Sequence, residues 1–434
     1  MLLLLIFTVL VEGALASYFF NHFLLFILVL EILFPIFIFI CLKIIEIPVF
    51  FTKIAIVKKA EKKIKGLAEL TTIGIAGSYG KTSTKEILYF LLSEKYNVLK
   101  TEANINTQMG VAKTALNFLG EKHKFFICEM AAYKKGEIKS ISDIVKPKIG
   151  ILTGVNEQHL ALFGSQENII KGKYELIESL PSDGLAIFNG NNKYCLELYR
   201  KTKKNNKLQK VICTTISTAV EIAVQKEKDI WAENIMVEKE FIRFRAVSKD
   251  GDFAEFKVNL LGRQNIENIL LAAACARELG MSLDEISKIC LKIKPELGGI
   301  KFLKKENPVI LDSSYSANPT GVMADLDYLK IYPEKKIIIM PCLIELGESS
   351  REIHKKIGRK IGEICDLAII TTKERFNEIK KGALEAGMKE ENILFIRESN
   401  EIAEKVKSYT MKSVVLLEGR TPKGLINLLC DNIS

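Results

Sequence analysis

Apolar residues fill the first 57 positions of the chain almost without a break, and from about residue 66 the pattern changes to short β-branched runs alternating with helix-period segments. The apolar zone divides at Asn21-His22 into stretches of about 20 residues each, the length that crosses roughly 30 Å of hydrocarbon. Two membrane spans or a re-entrant hairpin are therefore expected, with Pro35 kinking the second. A cleaved signal peptide is the rival reading, but no basic segment precedes the apolar run and no small-x-small site follows a single short core. Glu12 and Glu31 are costly inside lipid and read as span-end or bundle-facing residues. Lys53, Lys58, Lys59, Lys62, Lys63 and Lys65 follow directly, and by the positive-inside tendency they hold this end on the cytoplasmic side.

Beyond residue 66, TTIGIAG, FFICEMA, KIGILTGV and LAIFNG read as strands, with EILYFLLSEKY, GEIKSISDIV and ENIIKGKYELIESL as the helices between them. Such alternation predicts βαβ units and a mostly parallel sheet covered on both faces. From 209 to 260 the runs KVICTTI, FIRFRAV and FAEFKVNLL are separated by charged turns, which reads as an antiparallel segment. NIENILLAAACAREL then forms a strong helix. A second α/β unit follows, with VILDSSY, KKIIIMPCL, LAIITT, NILFIRE and SVVLLEG as strands, and the Gly298-Gly299 pair and Pro308 mark its start. The expected organisation is an apolar anchor at 1–57, a central α/β domain at 58–300 and a Rossmann-like α/β domain at 301–434.

The first run of the central domain leads into Gly77-Ser78-Tyr79-Gly80-Lys81-Thr82-Ser83 and then a helix. Glycines let backbone N–H groups converge on phosphate oxygens, the helix N-terminus adds positive potential, the lysine neutralises charge and the hydroxyl can meet a divalent cation. The loop has the shortened form G-x-x-G-K-[ST], because Ile75 stands where the longer pattern has its first glycine.

Charge and composition narrow the partners. A net charge of +10 suits a domain lying against an anionic leaflet, and no aromatic-interleaved basic patch argues for nucleic acid. The nine cysteines are scattered singly with no C-x-x-C pair, as expected of reduced core thiols, and four histidines are too few for a multi-histidine metal site.

Around the phosphate loop several polar residues are candidates. Glu129 ends the strand FFICEMA and is placed to ligate a divalent cation, or simply to be a solvated strand-end acid. His159 follows the strand KIGILTGV, and Lys173 lies on a helix whose exposed face is the ordinary explanation for a lysine. Asn104, Asn106 and Thr107 lie in a polar, turn-prone segment that would cover the loop. Asn265 and Asn268 stand about one turn apart at a helix start, where helix capping is the plain alternative for Asn265.

Taken together, G-S-Y-G-K-T-S (77–83), N-x-N-x-x-x-G (104–110), the strand-end Glu129, the His159-Leu pair followed by K-G-K-Y-E (171–175), and G-R-Q-N-I-E-N (262–268) resemble the Mur ligase family from about residue 66 to the C-terminus. The phrases at 311–319 and 344–354 are similar to those of its members that add a D-alanyl-D-alanine dipeptide. The resemblance implies an ATP-dependent amide ligase of cell-wall precursor synthesis, using ATP and Mg²⁺. Its partners would be a nucleotide-sugar peptide or related precursor, an amino acid or dipeptide, and, through the anchor, membrane lipid. By the same resemblance Gly77 to Ser83, Asn265, Asn268 and Asp312 would bind nucleotide, and Asn104, Asn106 and Thr107 substrate. Thr82, Glu129 and His159 would hold metal, and Lys173 would carry a carbamate that supports it. Lys81, Lys173 and His159 would be the catalytic set.

The chain departs from the family pattern at several positions. Gln264 replaces a histidine, and Gly298-Gly299-Ile300 stands where an arginine usually follows a turn, leaving Lys301 as the nearest cation. Ser313 occupies the place of an acid that contacts nucleotide, with Asp312 one residue earlier. The folded module that holds the nucleotide sugar in such ligases has no counterpart in the N-terminal apolar zone. A ligase for another carboxylate acceptor and a catalytically silent nucleotide-binding scaffold are the two alternatives.

Overall fold

A computed structural model describes residues 2–103, 105–216, 228–314, 318–409 and 412–430. Asn104 and three residues of the phrase at 311–319 lie outside this set. The chain forms two compact units, residues 1–59 and 60–434.

The N-terminal unit corrects the expectation of two helices. A single helix, Leu2–Lys65, runs through the whole apolar zone with Pro35 and Pro48 inside it. The polar pair that divides the apolar runs does not end it. Neither residue is a helix breaker, and His22 turns its ring back onto the Tyr18 carbonyl at 2.7 Å. At about 1.5 Å per residue the 64-residue helix is far longer than one hydrocarbon crossing. By length and composition it is apolar enough to span a membrane.

The second unit is built on two sheets. The first contains β1 (Thr71–Ala76), β2 (Val98–Lys100), β3 (Phe125–Met130), β4 (Ile149–Leu152), β5 (Leu185–Asn189), β6 (Lys210–Ile216), β7 (Ile230–Val237), β8 (Ile242–Ser248) and β9 (Phe253–Val258). Their order is β2-β3-β1-β4-β5-β6-β7-β8-β9, parallel as far as β7 and antiparallel across β7, β8 and β9. β1, β3, β4 and β5 are buried along almost their whole length, as strands with both faces covered must be. β8 and β9 instead alternate buried and exposed positions. The antiparallel reading of 209–260 is thus corrected at its start: β6 pairs parallel to β5, and β7, which the hydrophobic pattern did not disclose, intervenes before the hairpins begin. β7 escaped notice because its alternation WAENIMV is only half apolar.

The helix Gln264–Glu278 packs against this sheet with Ile266 and Ile269 to Ala276 almost fully buried. The second sheet contains β10 (Lys301–Lys304), β11 (Val309–Ser313), β12 (Lys335–Met340), β13 (Leu367–Ile370), β14 (Ile393–Phe395) and β15 (Ser413–Glu418), in the order β10-β11-β15-β12-β13-β14. Only the β10–β11 pair is antiparallel. Ile300 is fully buried at the junction, which explains an apolar residue there.

Candidate active site

The phosphate loop leaves the carboxyl end of β1, between β3 and β4, where ligands bind in open parallel sheets. Gly80, at φ +74°, caps the helix Lys81–Ser93, and a Cβ there would lie 2.6 Å from Asn268 Oδ1. Only glycine fits both the left-handed backbone and the close approach. Ser78 N–H donates to the Gly154 carbonyl at 2.7 Å, and the Ser78 hydroxyl accepts from Asn156 N–H at 3.2 Å. Thr153 donates its hydroxyl to the Tyr79 carbonyl. These bonds fix the loop, whose residues Ser78 to Ser83 line the cavity. Lys81 Nζ folds back onto the carbonyls of Gly77, at 2.9 Å, and Ser78, at 3.4 Å. Desolvation lowers the Lys81 pKa, and the charge of Glu129 opposes that shift.

Glu129 is 2% exposed at the end of β3, beside the loop. Its carboxylate accepts from Thr82 Oγ1 at 3.0 Å and from Asn106 Nδ2 at 3.0 Å, and pairs with Lys85 Nζ at 3.3 Å. Asn106 therefore orients the acid, a role the sequence did not suggest. Lys85, fully buried and also bonded to the Ala103 carbonyl at 3.0 Å, was missed altogether. Its signal was a lysine on a helix face otherwise turned to the core. Thr107 caps the helix Gln108–Phe118 by accepting from Gly110 N–H, so its hydroxyl is already engaged.

No group of three or more His, Cys, Asp or Glu suited to a metal ion occurs among the described residues. A Thr82 hydroxyl in contact with the Glu129 carboxylate nevertheless fits Mg²⁺, which takes one or two protein oxygens and fills its remaining positions with phosphate and water.

His159, at φ +65°, hydrogen-bonds through Nδ1 to Glu345 and meets the Tyr133 ring edge-on at 4.8 Å. Burial lowers its pKa against the pull of Glu345. Lys173 is 2% exposed, buried instead of on an exposed helix face. Its Nζ donates to the Ala132 carbonyl at 3.1 Å and lies 5.5 Å from the Phe163 ring centre. Desolvation first, and then the charge of Lys81, bring its pKa down to about 7.

The far wall comes from the helix Gln264–Glu278 and the second sheet. Asn265 does not cap that helix; its side chain donates to the Leu261 carbonyl at 2.8 Å. Asn268 accepts from Thr84 at 3.3 Å and lies against Gly80. Asp312, expected at the nucleotide, accepts from Ser314 N–H at 2.9 Å, pairs with Lys301 at 3.3 Å, and does not line the cavity. Alternate residues of a strand face opposite sides, so Ser313 is the one that lines the cavity. Ser313 in turn donates to Asp325 at 2.5 Å, next to Glu418. Mutual burial raises the pKa of both acids, Asp325 to about 6.

One cavity of about 1240 Å³ joins these walls, lined by Ser78 to Ser83, Asn106, Thr107, Glu129, His159, Asn265, Asn268, Ser313, Asp325, Glu345 and Glu418. Gly77 and Lys173 are not among its lining residues.

Comparison with known proteins agrees with this arrangement. A model of the Mur ligase middle domain matches residues 75–276, and one of the Mur ligase glutamate ligase domain matches residues 300–421. The UDP-N-acetylmuramoyl-tripeptide–D-alanyl-D-alanine ligase of Haemophilus influenzae is 30% identical over 67% of this chain and 61% of its own length. The ligase of the same name from Buchnera aphidicola is 32% identical over 69% of this chain and 62% of its own. The chain thus spans about three fifths of these relatives. Among solved structures, MurF from Acinetobacter baumannii superposes with a TM-score of 0.75 at 24% identity, covering 88% of this chain and 80% of that one. MurF from Thermotoga maritima in complex with ADP gives 0.71 at 23%, covering 87% and 82%. With two consecutive domain models of one family matched over residues 75–276 and 300–421, the chain belongs to the Mur ligase family.

Proposed function

We propose that the chain is an ATP-dependent, ADP-forming amide ligase of peptidoglycan precursor synthesis, MurF-like in adding D-alanyl-D-alanine or another amine to a UDP-N-acetylmuramoyl-peptide carboxylate. The observation that carries this reading is the single cavity in which a phosphate loop, a buried acid beside it and a second α/β wall meet. Lys81 and the N-terminus of its helix neutralise charge on the transferred phosphoryl group. Thr82 and Glu129 would hold Mg²⁺, which supplies further neutralisation of the phosphate oxygens. Lys173 is the carbamylation site: with its pKa near 7 a large fraction is neutral amine. That amine adds to CO₂ to give a carbamate and one proton, turning a buried cation into an anion beside His159. The substrate carboxylate becomes an acyl phosphate, the incoming amine attacks it, and phosphate leaves. The second sheet closes the cavity against water that would hydrolyse that intermediate.

The apolar helix Leu2–Lys65 anchors the ligase to the membrane, with the lysine-rich end and the catalytic unit on the cytoplasmic face. Lipid contact is thereby part of its working state.

The test is phosphate release by the detergent-solubilised chain given ATP, Mg²⁺, UDP-N-acetylmuramoyl-tripeptide and D-alanyl-D-alanine. Release should need both substrates and fall by about 100-fold or more in Lys81→Ala, as when a preorganised charge-stabilising group is lost. ATP binding with no acceptor-dependent release on any carboxylate would favour the scaffold reading that Ser313 and Ile300 motivate.

A further inference from the structure

Lys81 and Lys85 stand one turn apart on the helix Lys81–Ser93, and their ammonium groups go to different partners. Lys81 folds onto the Gly77 and Ser78 carbonyls of the loop. Lys85, 0% exposed, turns to the acid: its Nζ lies 3.3 Å from Glu129 Oε2, the oxygen that also accepts from Thr82. Glu129 makes no other ion pair among the described residues. The same ammonium donates to the Ala103 carbonyl at 3.0 Å and lies 3.4 Å from Glu86, which Lys100 shares at 2.6 Å.

Orienting Glu129 does not require this lysine. The acid's own N–H donates to Thr101 Oγ1 at 3.1 Å, and its Oε1 accepts from Asn106 Nδ2 at 3.0 Å, so neutral groups already hold both its backbone and its side chain. What Lys85 adds is charge, at the cost of burying an ammonium. Little water screens a pair this deeply buried, and a cation so close subtracts from the field that draws a dication to the carboxylate. Mg²⁺ dehydrates reluctantly and is held by one or two carboxylates together with substrate phosphates. An acid that already carries an ammonium is a poor ligand for the bare ion, and the phosphates of a nucleotide supply the missing negative charge. Once the ion takes Oε2, the ammonium keeps the Ala103 carbonyl and Glu86 as acceptors, so it stays in the core without becoming an orphaned charge.

We propose that Lys85 is a positioning residue that acts as an internal counter-cation for Glu129, keeping the acid's hold on Mg²⁺ weak until a nucleotide brings phosphate to the ion. The inference rests on the reading above in one respect, the assignment of Thr82 and Glu129 to the metal.

The experiment is calorimetric titration of Mg²⁺ into the detergent-solubilised full-length chain, with and without a non-hydrolysable ATP analogue. Without the analogue, wild type should bind the ion weakly. K85M should bind it more tightly by about 10- to 100-fold, the range of a hydrogen bond to a charged group, and K85R should stay within about twofold of wild type. The gain should vanish when E129Q is added to K85M, which ties it to this acid. The analogue should strengthen Mg²⁺ binding in wild type by a larger factor than in K85M. If K85M fails to fold, K85Q decides by the same measure, because its amide still donates to Ala103 without the charge. Mg²⁺ affinity that is unchanged or weaker in the folded neutral variant overturns the proposal and leaves Lys85 a purely structural residue. So does micromolar binding of Mg²⁺ alone by wild type, or a gain that survives E129Q. Phosphate release separates this inference from the ligase reading. Acceptor-dependent release by wild type, with Mg²⁺ affinity unmoved in K85M, defeats the inference and spares the ligase; tighter Mg²⁺ in K85M with no release by wild type does the reverse.

Discussion

Lys173 sits 2% exposed among Phe163, the Ala132 carbonyl and Lys81. A lysine whose folded pKa is about 7, against about 10.4 when unfolded, binds fewer protons folded than unfolded between those values. Stability from this residue therefore rises with pH across that window and is lowest below pH 7. Lys173→Met removes the ionisation, so the urea midpoint of wild type should climb relative to the variant between pH 7 and pH 10; parallel curves would refute the buried ammonium. In activity, Lys173→Ala should lose about 100-fold or more if the carbamate supports charge at the phosphoryl group, and millimolar short-chain carboxylic acids should restore part of it. CO₂-depleted buffer should slow the wild type and leave the variant unaffected. The residue types of this site were legible in the sequence, because a glycine-bracketed Lys-Thr loop and a strand-end acid carry their chemistry in one dimension. What was not legible is that Lys173 is buried instead of solvated, or that Asn106 and Lys85 hold Glu129. Those contacts join residues far apart in the chain, and side-chain orientation on a single helix or loop does not reveal them.

At the level of elements, helix packing in the second α/β lobe depends on missing side chains. A Cβ at Gly358, in the helix Ser350–Ile364, would collide with the Ile379 carbonyl, and one at Gly382, in Phe376–Glu385, with the Lys355 carbonyl. Gly358→Ala should cost about 1–3 kcal/mol, the usual penalty of overpacking, seen as a lower thermal midpoint with ATP affinity retained once folded. The N-terminal helix makes a different prediction. A chain inserted by Leu2–Lys65 should resist alkaline carbonate extraction and stay with vesicles at high salt; release by salt alone would reduce the attachment to surface charge from Lys53 to Lys65. The sequence pattern found nearly every strand of the parallel sheets, since runs buried on both faces are continuously apolar. It failed at β2, β7 and β10, which are short or only half buried. It also divided the N-terminal apolar zone into two helices where the backbone continues as one.

Across the whole second unit, contacts between the two α/β lobes border the cavity. Asn156 donates to Asn318 at 3.1 Å and to Thr320 at 3.0 Å, His159 bonds Glu345, Ala161 N–H donates to the Glu345 carbonyl at 3.2 Å, and Gln264 reaches Asp325. Asn156→Ala combined with Glu345→Gln should loosen this closure. The expected outcome is a larger radius of gyration in solution scattering without nucleotide and a kcat reduced by up to about 100-fold, as small misplacements of reacting groups allow. An unchanged radius would mean that closure does not depend on these bonds. By itself the sequence determined the α/β class and the family and offered a phosphate loop with an acid beside it, because each is written in local periodicity or in a motif whose chemistry needs only neighbours in the chain. Only the tertiary structure decided that Asp312 turns away while Ser313 faces the cavity, that Gln264 and Ser313 meet at Asp325, and that Lys173 loses its water. Strand facing, burial and the pairing of charges depend on which distant segments pack together, and these packing relations set the electrostatics of the site.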